Sequence, residues 1–263
     1  MHGGLTAAAT ALALTERITV GTGLLPAAVR NPAIAAMEIA TLALLHPGRV
    51  QVAFGHGVEA WMRQIGARPR DRLVALEEVV RTTRALLHDE TVDSEGRFVT
   101  LRDVRLEQPP VTPPEILVGT TGERGIEIAA RAADGLVVAE GASEAALRWA
   151  RGLLGDGRLV AYTWLRIEDD ARRAREALGP AVERWRDGGL YAGMIARAGA
   201  LDGPQSPALH ELAVAGCRGG LRRGGAAPRR RGRRRCRAGP RRGGPGGDQV
   251  ARFAAEVMPQ LAG

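Results

Sequence analysis

The hydrophobic positions of the chain fall into two alternating patterns. Short runs rich in Val, Ile and Leu, most of them ending in glycine, predict buried strands. Stretches in which apolar residues recur at spacings of three and four predict amphipathic helices. The predicted strands cover residues 17–24, 49–57, 115–122, 134–141 and 158–167. A helical stretch follows each of them, so the pattern predicts five strand-then-helix units in succession.

Start signals define the first two of these helices. Asn31 can cap a helix within residues 30–49, and Pro32 suits its first turn. Asp71 begins the second helix, whose apolar residues again step by three and four. The stretch 89–114 predicts an inserted hairpin and a proline-rich link. Further helices are predicted over residues 123–133, 143–154 and 168–199.

This alternation of strands and helices predicts an α/β fold with a parallel sheet covered by helices. A doubly wound sheet and a closed barrel both fit the number of units. No G-x-G-x-x-G motif follows the first predicted strand, which weakens a dinucleotide-binding interpretation.

The positive charge of the chain is concentrated in one segment. Residues 217–247 contain twelve arginines and no acidic residue, whereas the whole chain has a net charge of +8. The other 232 residues therefore sum to −4. Because the body is mildly acidic, its charge gives no reason to expect a nucleic-acid partner.

Cysteine usage and the first residues bear on the location of the protein. Both cysteines, Cys217 and Cys236, lie in the arginine-rich segment, so the body has no disulfide and no cysteine metal site. The first twenty residues lack the basic region of a signal peptide, and no apolar run reaches transmembrane length. These features predict a cytoplasmic protein without a membrane partner.

Three motifs in a fixed order carry a resemblance to a known family. They are RITVGTGLLPAAVRNP (17–32), TLALLHPGRVQVAFGHG (41–57) and PPEILVGTTGERG (113–125). With this order and spacing the chain resembles the luciferase-like flavin- or deazaflavin-dependent oxidoreductases over residues 5–215 and again over 248–263. The resemblance implies a (β/α)8 TIM barrel with its site at the carboxyl ends of the strands.

The same resemblance implies that the barrel is incomplete. Residues 17–24 correspond to the third strand of the family, so strands one and two are missing, and Met1 falls in the second helix. Residues 1–216 would form a partial barrel, and 248–263 would be its last helix. Such a barrel cannot close, and its open sheet edges predict a poorly soluble, inactive chain, a non-catalytic remnant.

Two interpretations of residues 217–247 stay open. The segment stands where the family has its eighth strand, and its Arg, Gly, Pro and Ala content is what a GC-rich gene gives in a wrong reading frame. An out-of-frame segment is therefore the favoured interpretation. The rival is a basic arm that binds nucleic acid, which the absence of aromatic residues for base stacking disfavours.

The end of the first predicted strand is the first candidate for cofactor contact. In the resembled family a non-proline cis peptide bond often lies here, in a bulge that backs the isoalloxazine ring. Gly23 and Leu24 are the residues that match, and the resemblance implies that they bind the cofactor. An ordinary glycine turn is the structural alternative.

The loop GHGVEAWM, residues 55–62, is the second candidate. Glycines let a flat cofactor approach the backbone, and by position His56, Gly57 and Trp61 would touch it. His56 is the candidate catalytic residue, since an imidazole can donate a hydrogen bond or a proton; a strand-capping histidine is the alternative. Some deazaflavin-dependent members carry a catalytic Glu directly after this Gly. Here that position is Val58, which argues against glucose-6-phosphate dehydrogenase chemistry.

The loop GTTGERG, residues 119–125, is the third candidate. Threonine hydroxyls, glycine amides and a helix start together suit an anion, and the family binds the cofactor phosphate near this loop. The implied phosphate-binding residues are Thr120, Thr121, Gly122, Glu123 and Arg124. A plain strand-to-helix turn is the alternative.

The resemblance therefore implies an oxidoreductase or monooxygenase that acts on a small organic substrate. Its chemistry would be hydride transfer with coenzyme F420, or oxygenation with FMN as the alternative cofactor. No metal is implied. Intact members of the family would also form homodimers.

Overall fold

The computed structural model describes residues 3–142, 144–168, 170–187 and 213–216. For residues 171, 181–187 and 213–216 the backbone alone is described. The chain divides into two compact units. The first comprises Met1–Ala139 and Trp149–Ala161, and the second comprises Glu140–Arg148 and Tyr162–Gly263.

Nine strands lie within the described ranges. They are β1 (Val20–Pro26), β2 (Val50–Gly55), β3 (Val92–Glu95), β4 (Thr100–Val104), β5 (Glu115–Gly119), β6 (Gly135–Val138), β7 (Arg158–Ala161), β8 (Trp164–Ile167) and β9 (Ala213–Gly216). The first unit is built on a five-stranded sheet in the order β1-β2-β5-β6-β7. Every neighbouring pair in this sheet is parallel, which confirms the predicted α/β class.

The described ranges contain seven α-helices, and at least one of them follows each of β1, β2, β5 and β6, as the sequence predicts. They are α1 (Gly4–Ala13), α2 (Pro32–Leu45), α3 (Glu59–Gln64), α4 (Arg72–Leu87), α5 (Glu123–Ala132), α6 (Glu144–Leu154) and α7 (Ala171–Asp187). Helix α4 packs against both α2 and α5, and these helices follow consecutive strands of the sheet.

Both predicted helix caps are present. The side chain of Asn31 accepts a hydrogen bond from the backbone N–H of Ala33 at 2.9 Å, and Pro32 is the first residue of α2. Asp71 accepts from the N–H of Val74 at 3.2 Å at the start of α4. Each side chain satisfies an N–H that the helix itself leaves without a partner, which fixes where the helix begins.

The predicted hairpin is the antiparallel pair β3 and β4. Glu78 of α4 holds its turn, because its carboxylate accepts hydrogen bonds from the backbone N–H groups of Arg97, Phe98 and Val99 at 2.8–2.9 Å. Burial raises the pKa of Glu78, but these hydrogen bonds and the positive charge of Arg81 together lower it by more, so the group stays ionised. The hairpin is thereby fastened to α4.

One face of the main sheet is polar at the amino ends of its strands, apolar further along, and lined by glycines at the carboxyl ends of β2 and β5. At the amino end, Gln51 donates to Glu115 at 2.5 Å, and Arg158 pairs with the same carboxylate at 3.3 Å. Two residues further along the strands, the side chains on this face are buried and form an apolar cluster. The cluster consists of Ala53, Leu117 and Val137, and Val160 packs against it. The next positions of β2 and β5 on this face are Gly55 and Gly119, where a side-chain layer is missing.

The predicted strand 158–167 is wrong as a single element. It forms two strands, because β7 pairs with β6 whereas β8 pairs with β9 in a separate two-stranded parallel sheet. Tyr162 and Thr163 lie between them outside either strand. The change of hydrogen-bonding partner ends the first strand, although the apolar character continues. In the second unit, α7 packs on β8 and β9.

Several predictions fall outside the described residues. These are the start of the chain at Met1, the helix beyond residue 187, the arginine-rich segment 217–247 and the last helix 248–263. The proposed division into a partial barrel, that segment and a final helix stays a prediction. No helix in the described ranges is long and apolar enough to cross a membrane. Among the same residues no group of His, Cys, Asp or Glu is arranged to hold a metal.

Candidate cofactor site

The candidate loops meet at one edge of the main sheet. In the register of the sheet Pro26 of β1 lies beside Gly55 of β2, and Gly55 lies beside Gly119 of β5. Because the strands are parallel, the segments that follow Gly55 and Gly119 leave the sheet side by side with the end of β1. Two of the three predicted cofactor loops, 55–62 and 119–125, therefore start as neighbours.

The cis peptide bond predicted between Gly23 and Leu24 is present. The register of β1 against β2 shifts between Gly23 and Leu25, so the strand carries an irregularity at this bond. The predicted bulge at the end of β1 is therefore part of the fold.

The side chain of Leu24 fills the space that two glycines leave open. A β-carbon at Gly55 would overlap the Leu24 Cδ1 methyl, and a β-carbon at Gly119 would overlap its Cδ2 methyl. The sequence indicates that Gly55 makes room for a cofactor; the structure shows that this room is taken by Leu24. The Leu24 side chain remains 39% exposed, so it presents an apolar surface over both strand ends.

The loop after β2 is shaped by a second close contact. Gly57 has a φ of +70°, a conformation that favours glycine. Its α-carbon faces Met62 of α3, and a β-carbon here would lie 2.8 Å from the Met62 sulfur. The buried Met62 thus holds the loop, while its neighbour Trp61 is exposed on the same short helix.

His56 is held in its neutral form. Burial lowers its pKa below the usual 6.5, and the positive charge of Arg72 lowers it further. The backbone of Arg72 and the carboxylate of Glu59 raise the pKa by less. Nδ1 of His56 is buried and has no hydrogen-bond partner among the described residues.

Glu59 gathers three arginines at the start of α3. Its carboxylate pairs with Arg63 at 2.9 Å, Arg68 at 2.5 Å and Arg72 at 2.9 Å. The hydrogen bond from Arg68 is the main reason that the pKa of Glu59 is lowered. A carboxylate that is ionised and bound by three guanidinium groups is poorly placed to take up a proton. Instead it ties α3, the loop that follows and the start of α4 together.

The third loop leads into α5 with little side-chain capping. Gly122 is the N-cap residue just before α5, and no side chain caps the helix. Thr120 Oγ1 accepts a weak hydrogen bond from the Gly122 N–H at 3.4 Å and lies against Gly125, where a β-carbon would overlap it. The hydroxyl proton of Thr120 is still available to a ligand. The side chains of Glu123 and Arg124 are exposed in the first turn.

The structure adds two residues that the sequence does not single out as site residues, Arg72 and Glu59. Arg72 is the first residue of α4, sixteen positions after His56, and no motif links the two. A signal was available for Glu59, because Glu59 and Arg63 have the spacing of a helical ion pair. The part played by Arg72 depends on the tertiary fold.

The parallel sheet brings the loops that follow its strands together at their carboxyl ends, which is where α/β proteins commonly bind their ligands. Residues 2–201 match the family described as luciferase-like monooxygenase. The chain belongs to this family, which confirms the resemblance.

The curated relatives of the chain agree with this membership. The chain is 33% identical over 132 residues to an F420-dependent glucose-6-phosphate dehydrogenase of Kribbella flavida. That match covers 48% of this chain and 40% of the relative, so the chain spans about two fifths of the length of such curated relatives.

Two solved structures resemble the chain in fold. An F420-dependent secondary alcohol dehydrogenase in complex with an F420-acetone adduct has a TM-score of 0.58 at 26% identity, covering 67% of this chain and 58% of that one. The coenzyme F420-dependent tetrahydromethanopterin reductase of Methanopyrus kandleri has a TM-score of 0.65 at 20% identity, covering 84% and 76%. The second likeness concerns the fold alone.

Proposed function

We propose that the protein is an F420-dependent oxidoreductase that transfers a hydride between a small organic substrate and the cofactor. The observation that carries the proposal is the similarity to relatives named for F420, including one solved with an F420 adduct. FMN-dependent oxygenation is the alternative. The deazaflavin ring, when bound, supplies the carbon that takes up or releases the hydride.

The residues at the carboxyl edge of the sheet fit such a group. A flat ring needs an apolar surface, and Leu24 offers one over Gly55 and Gly119. A phosphate needs N–H donors and a favourable potential. The first turn of α5 provides both, because its backbone N–H groups have no partner within the helix. Gly23, Thr120, Thr121, Gly122, Glu123 and Arg124 complete the proposed contacts.

His56 would act as a neutral imidazole at this site. With its pKa lowered by burial and by Arg72, it is uncharged at neutral pH, and a neutral imidazole can donate or accept a hydrogen bond. Glu59 is excluded from proton transfer in this proposal, since its carboxylate is engaged with arginines. With Val58 at the preceding position, the proposal does not extend to sugar phosphates as substrates. Gly57 and Trp61 would line the same side of the cofactor.

The experiment that tests the proposal is a fluorescence titration of the full 263-residue chain with F420, for the wild type and two variants. Arg124→Gln removes a charge at the proposed phosphate loop, and Arg148→Gln removes the charge of another exposed arginine, which pairs with Glu144 on α6. We expect Arg124→Gln to weaken binding about threefold to tenfold and Arg148→Gln to leave it unchanged. Equal effects of the two variants, or no binding by the wild type, would contradict the proposal.

We also infer that the protein forms a homodimer through α2. Ile34, Met37, Leu44 and Leu45 are 40–68% exposed, and their spacing puts them on one side of the helix. The one charged residue of α2, Glu38, is paired with Arg30 at 3.1 Å. Glu38 lies on the same side of the helix, but its pairing with Arg30 leaves this largely apolar face without net charge, which suits a second copy of itself. Light scattering should give a dimer for the wild type and a monomer for Met37→Glu. The cytoplasmic location stays a prediction.

A further inference from the structure

We infer that Arg63, Arg68 and Arg72 form a binding site for a chain of carboxylates, and that its ligand is the oligoglutamate tail of the deazaflavin cofactor. The inference rests on the function proposed above, because it takes F420 as the cofactor. It goes further by assigning a second anion site, separate from the proposed phosphate loop 119–125. The three arginines are called the arginine cluster below.

Glu59 gathers the arginine cluster without occupying all of its hydrogen-bond donors. Arg63 and Arg68 pair with Oε1 of its carboxylate, and Arg72 pairs with Oε2, at 2.5–2.9 Å. The hydrogen bonds that these three side chains donate to described residues all go to Glu59. A carboxylate has about four acceptor sites, far fewer than the N–H donors of three guanidinium groups. Most donors of the cluster are therefore left for a second anion.

The arginine cluster lies on an exposed surface with a surplus of positive charge. Residues 59–72 contain four arginines against Glu59 and Asp71, so they sum to +2, whereas the chain outside 217–247 sums to −4. The side chains of the cluster are 45–65% exposed. Arg70, the fourth arginine, is also exposed and has no ion pair with a described residue. An anionic ligand is attracted to this part of the body and can reach the guanidinium groups from solvent.

The arginine cluster is within reach of the proposed phosphate loop. Glu59 follows Gly55 by four residues, and Gly55 lies beside Gly119 in the register of the sheet. Four residues span at most about 14 Å and neighbouring strands lie about 5 Å apart, so at most about 19 Å separate the α-carbons of Glu59 and Gly119. Ordinary residues span at most about 3.6 Å each, and γ-linked glutamates are longer. A tail of about five glutamates therefore covers this distance.

The tail of F420 has the chemistry that this site requires. It continues from the cofactor phosphate as a chain of γ-linked glutamates, each with a free α-carboxylate. A guanidinium group can bind a carboxylate through two parallel hydrogen bonds, which makes arginine well suited to such a ligand. FMN ends at its phosphate, so the arginine cluster would contribute to the binding of F420 alone.

The test is a fluorescence titration of the full chain with two forms of F420, one with about five glutamates and one with none. The test variant is Arg63→Gln/Arg68→Gln. The control is Arg102→Gln/Arg105→Gln, which removes two other exposed arginines that also pair with carboxylates, with the same change of charge. The segment 217–247 is common to all variants and cancels from the comparison. If the test variant does not fold, Arg68→Gln and Arg105→Gln replace the two double variants.

We expect the glutamate tail to tighten binding to the wild type about threefold to tenfold, as a few exposed ion pairs would. The test variant should lose this gain and keep its affinity for the tail-free form, whereas the control should keep both. The gain should also shrink as the salt concentration rises, because exposed charges are screened. Arginines that served only to hold α3 and α4 together would affect the two forms equally.

The outcomes separate this inference from the proposed function. Equal affinity of the wild type for the two forms, or an equal loss of affinity for both in the test variant, overturns the tail site and leaves the proposed function intact. No binding of either form overturns the proposed function and the assignment of the tail with it. Calorimetric titration with a γ-linked pentaglutamate then decides on the anion site itself. Weaker binding by the test variant than by the control supports that site, and equal binding overturns it.

Discussion

Glu59 and Arg72 form an ion pair of 2.9 Å, and its two members act on the pKa of His56 in opposite directions. Arg72 lowers it, because a nearby positive charge disfavours the imidazolium form. Glu59 raises it, because its carboxylate favours that form. Burial, the largest cause, leaves the balance on the side of the neutral ring.

The first prediction is a pair of opposite pKa shifts. Arg72→Gln should raise the pKa of His56, and Glu59→Gln should lower it further. Both are measured by NMR titration of the His56 ring proton on Cε1. Shifts in the same direction for the two variants would show that the charges do not reach His56 as described.

The second prediction concerns stability in mild acid. The folded-state pKa of His56 is below the 6.5 of an unperturbed histidine, so the unfolded chain binds a proton first as the pH falls. The stability contributed by neutral His56 is thus present above pH 6.5 and is lost as the pH falls through the folded-state pKa. Tm should fall more steeply between about pH 7 and 5 for the wild type than for His56→Gln. His88→Gln, at an exposed histidine, is the matched control.

The third prediction compares two glycine substitutions to separate the free-energy cost of a positive φ from the cost of a side-chain overlap. Gly48 and Gly57 share a φ of +70°, but a β-carbon at Gly48 meets nothing within 4 Å, whereas one at Gly57 meets Met62. Gly48→Ala should cost about 1 kcal/mol from conformation alone. Gly57→Ala should cost more, and Met62→Ala in the same chain should reduce the difference. Chemical denaturation measures both; equal costs would argue against a holding role for Met62.

Local features of the fold could be predicted from the sequence, and features that join distant segments could not. Asn31 and Asp71 cap helices through N–H groups two and three residues away, so the sequence contains the whole interaction. Gly55 and Gly119 indicate missing side chains, but their space is filled by Leu24 from another strand. The glycines in the sequence do not show whether the space beside them is filled by a ligand or by another side chain of the protein.

The sequence also does not predict the effect of Arg72 on His56 or the division of residues 158–167 into two strands, because both depend on contacts between distant segments. His56 depends on Arg72, which only the packing of α4 brings into range. The mostly apolar segment 158–167 has no turn residue to divide it, yet its two halves pair with different strands, β6 and β9. Neither relationship has a signature in the spacing of residues.

The fourth prediction concerns the arginine-rich segment 217–247. Its twelve arginines should bind any polyanion without sequence preference, and the affinity should fall by about a thousandfold between roughly 50 and 200 mM salt. Deleting the segment should abolish this binding and leave cofactor affinity unchanged. Filter binding with two unrelated DNA sequences measures it. This salt-dependent binding is what the basic-arm interpretation predicts; binding that is absent, or that deletion of residues 217–247 leaves unchanged, would argue against it.

The most direct test of the central claim is a competition between the two candidate cofactors. The full chain is equilibrated with F420 and FMN together, and the bound fraction of each is measured after separation from free ligand. We predict that F420 binds at least about tenfold more tightly, a difference of about 1.4 kcal/mol. Tighter binding of FMN would contradict the assignment of an F420-dependent oxidoreductase and favour the flavin-dependent oxygenase.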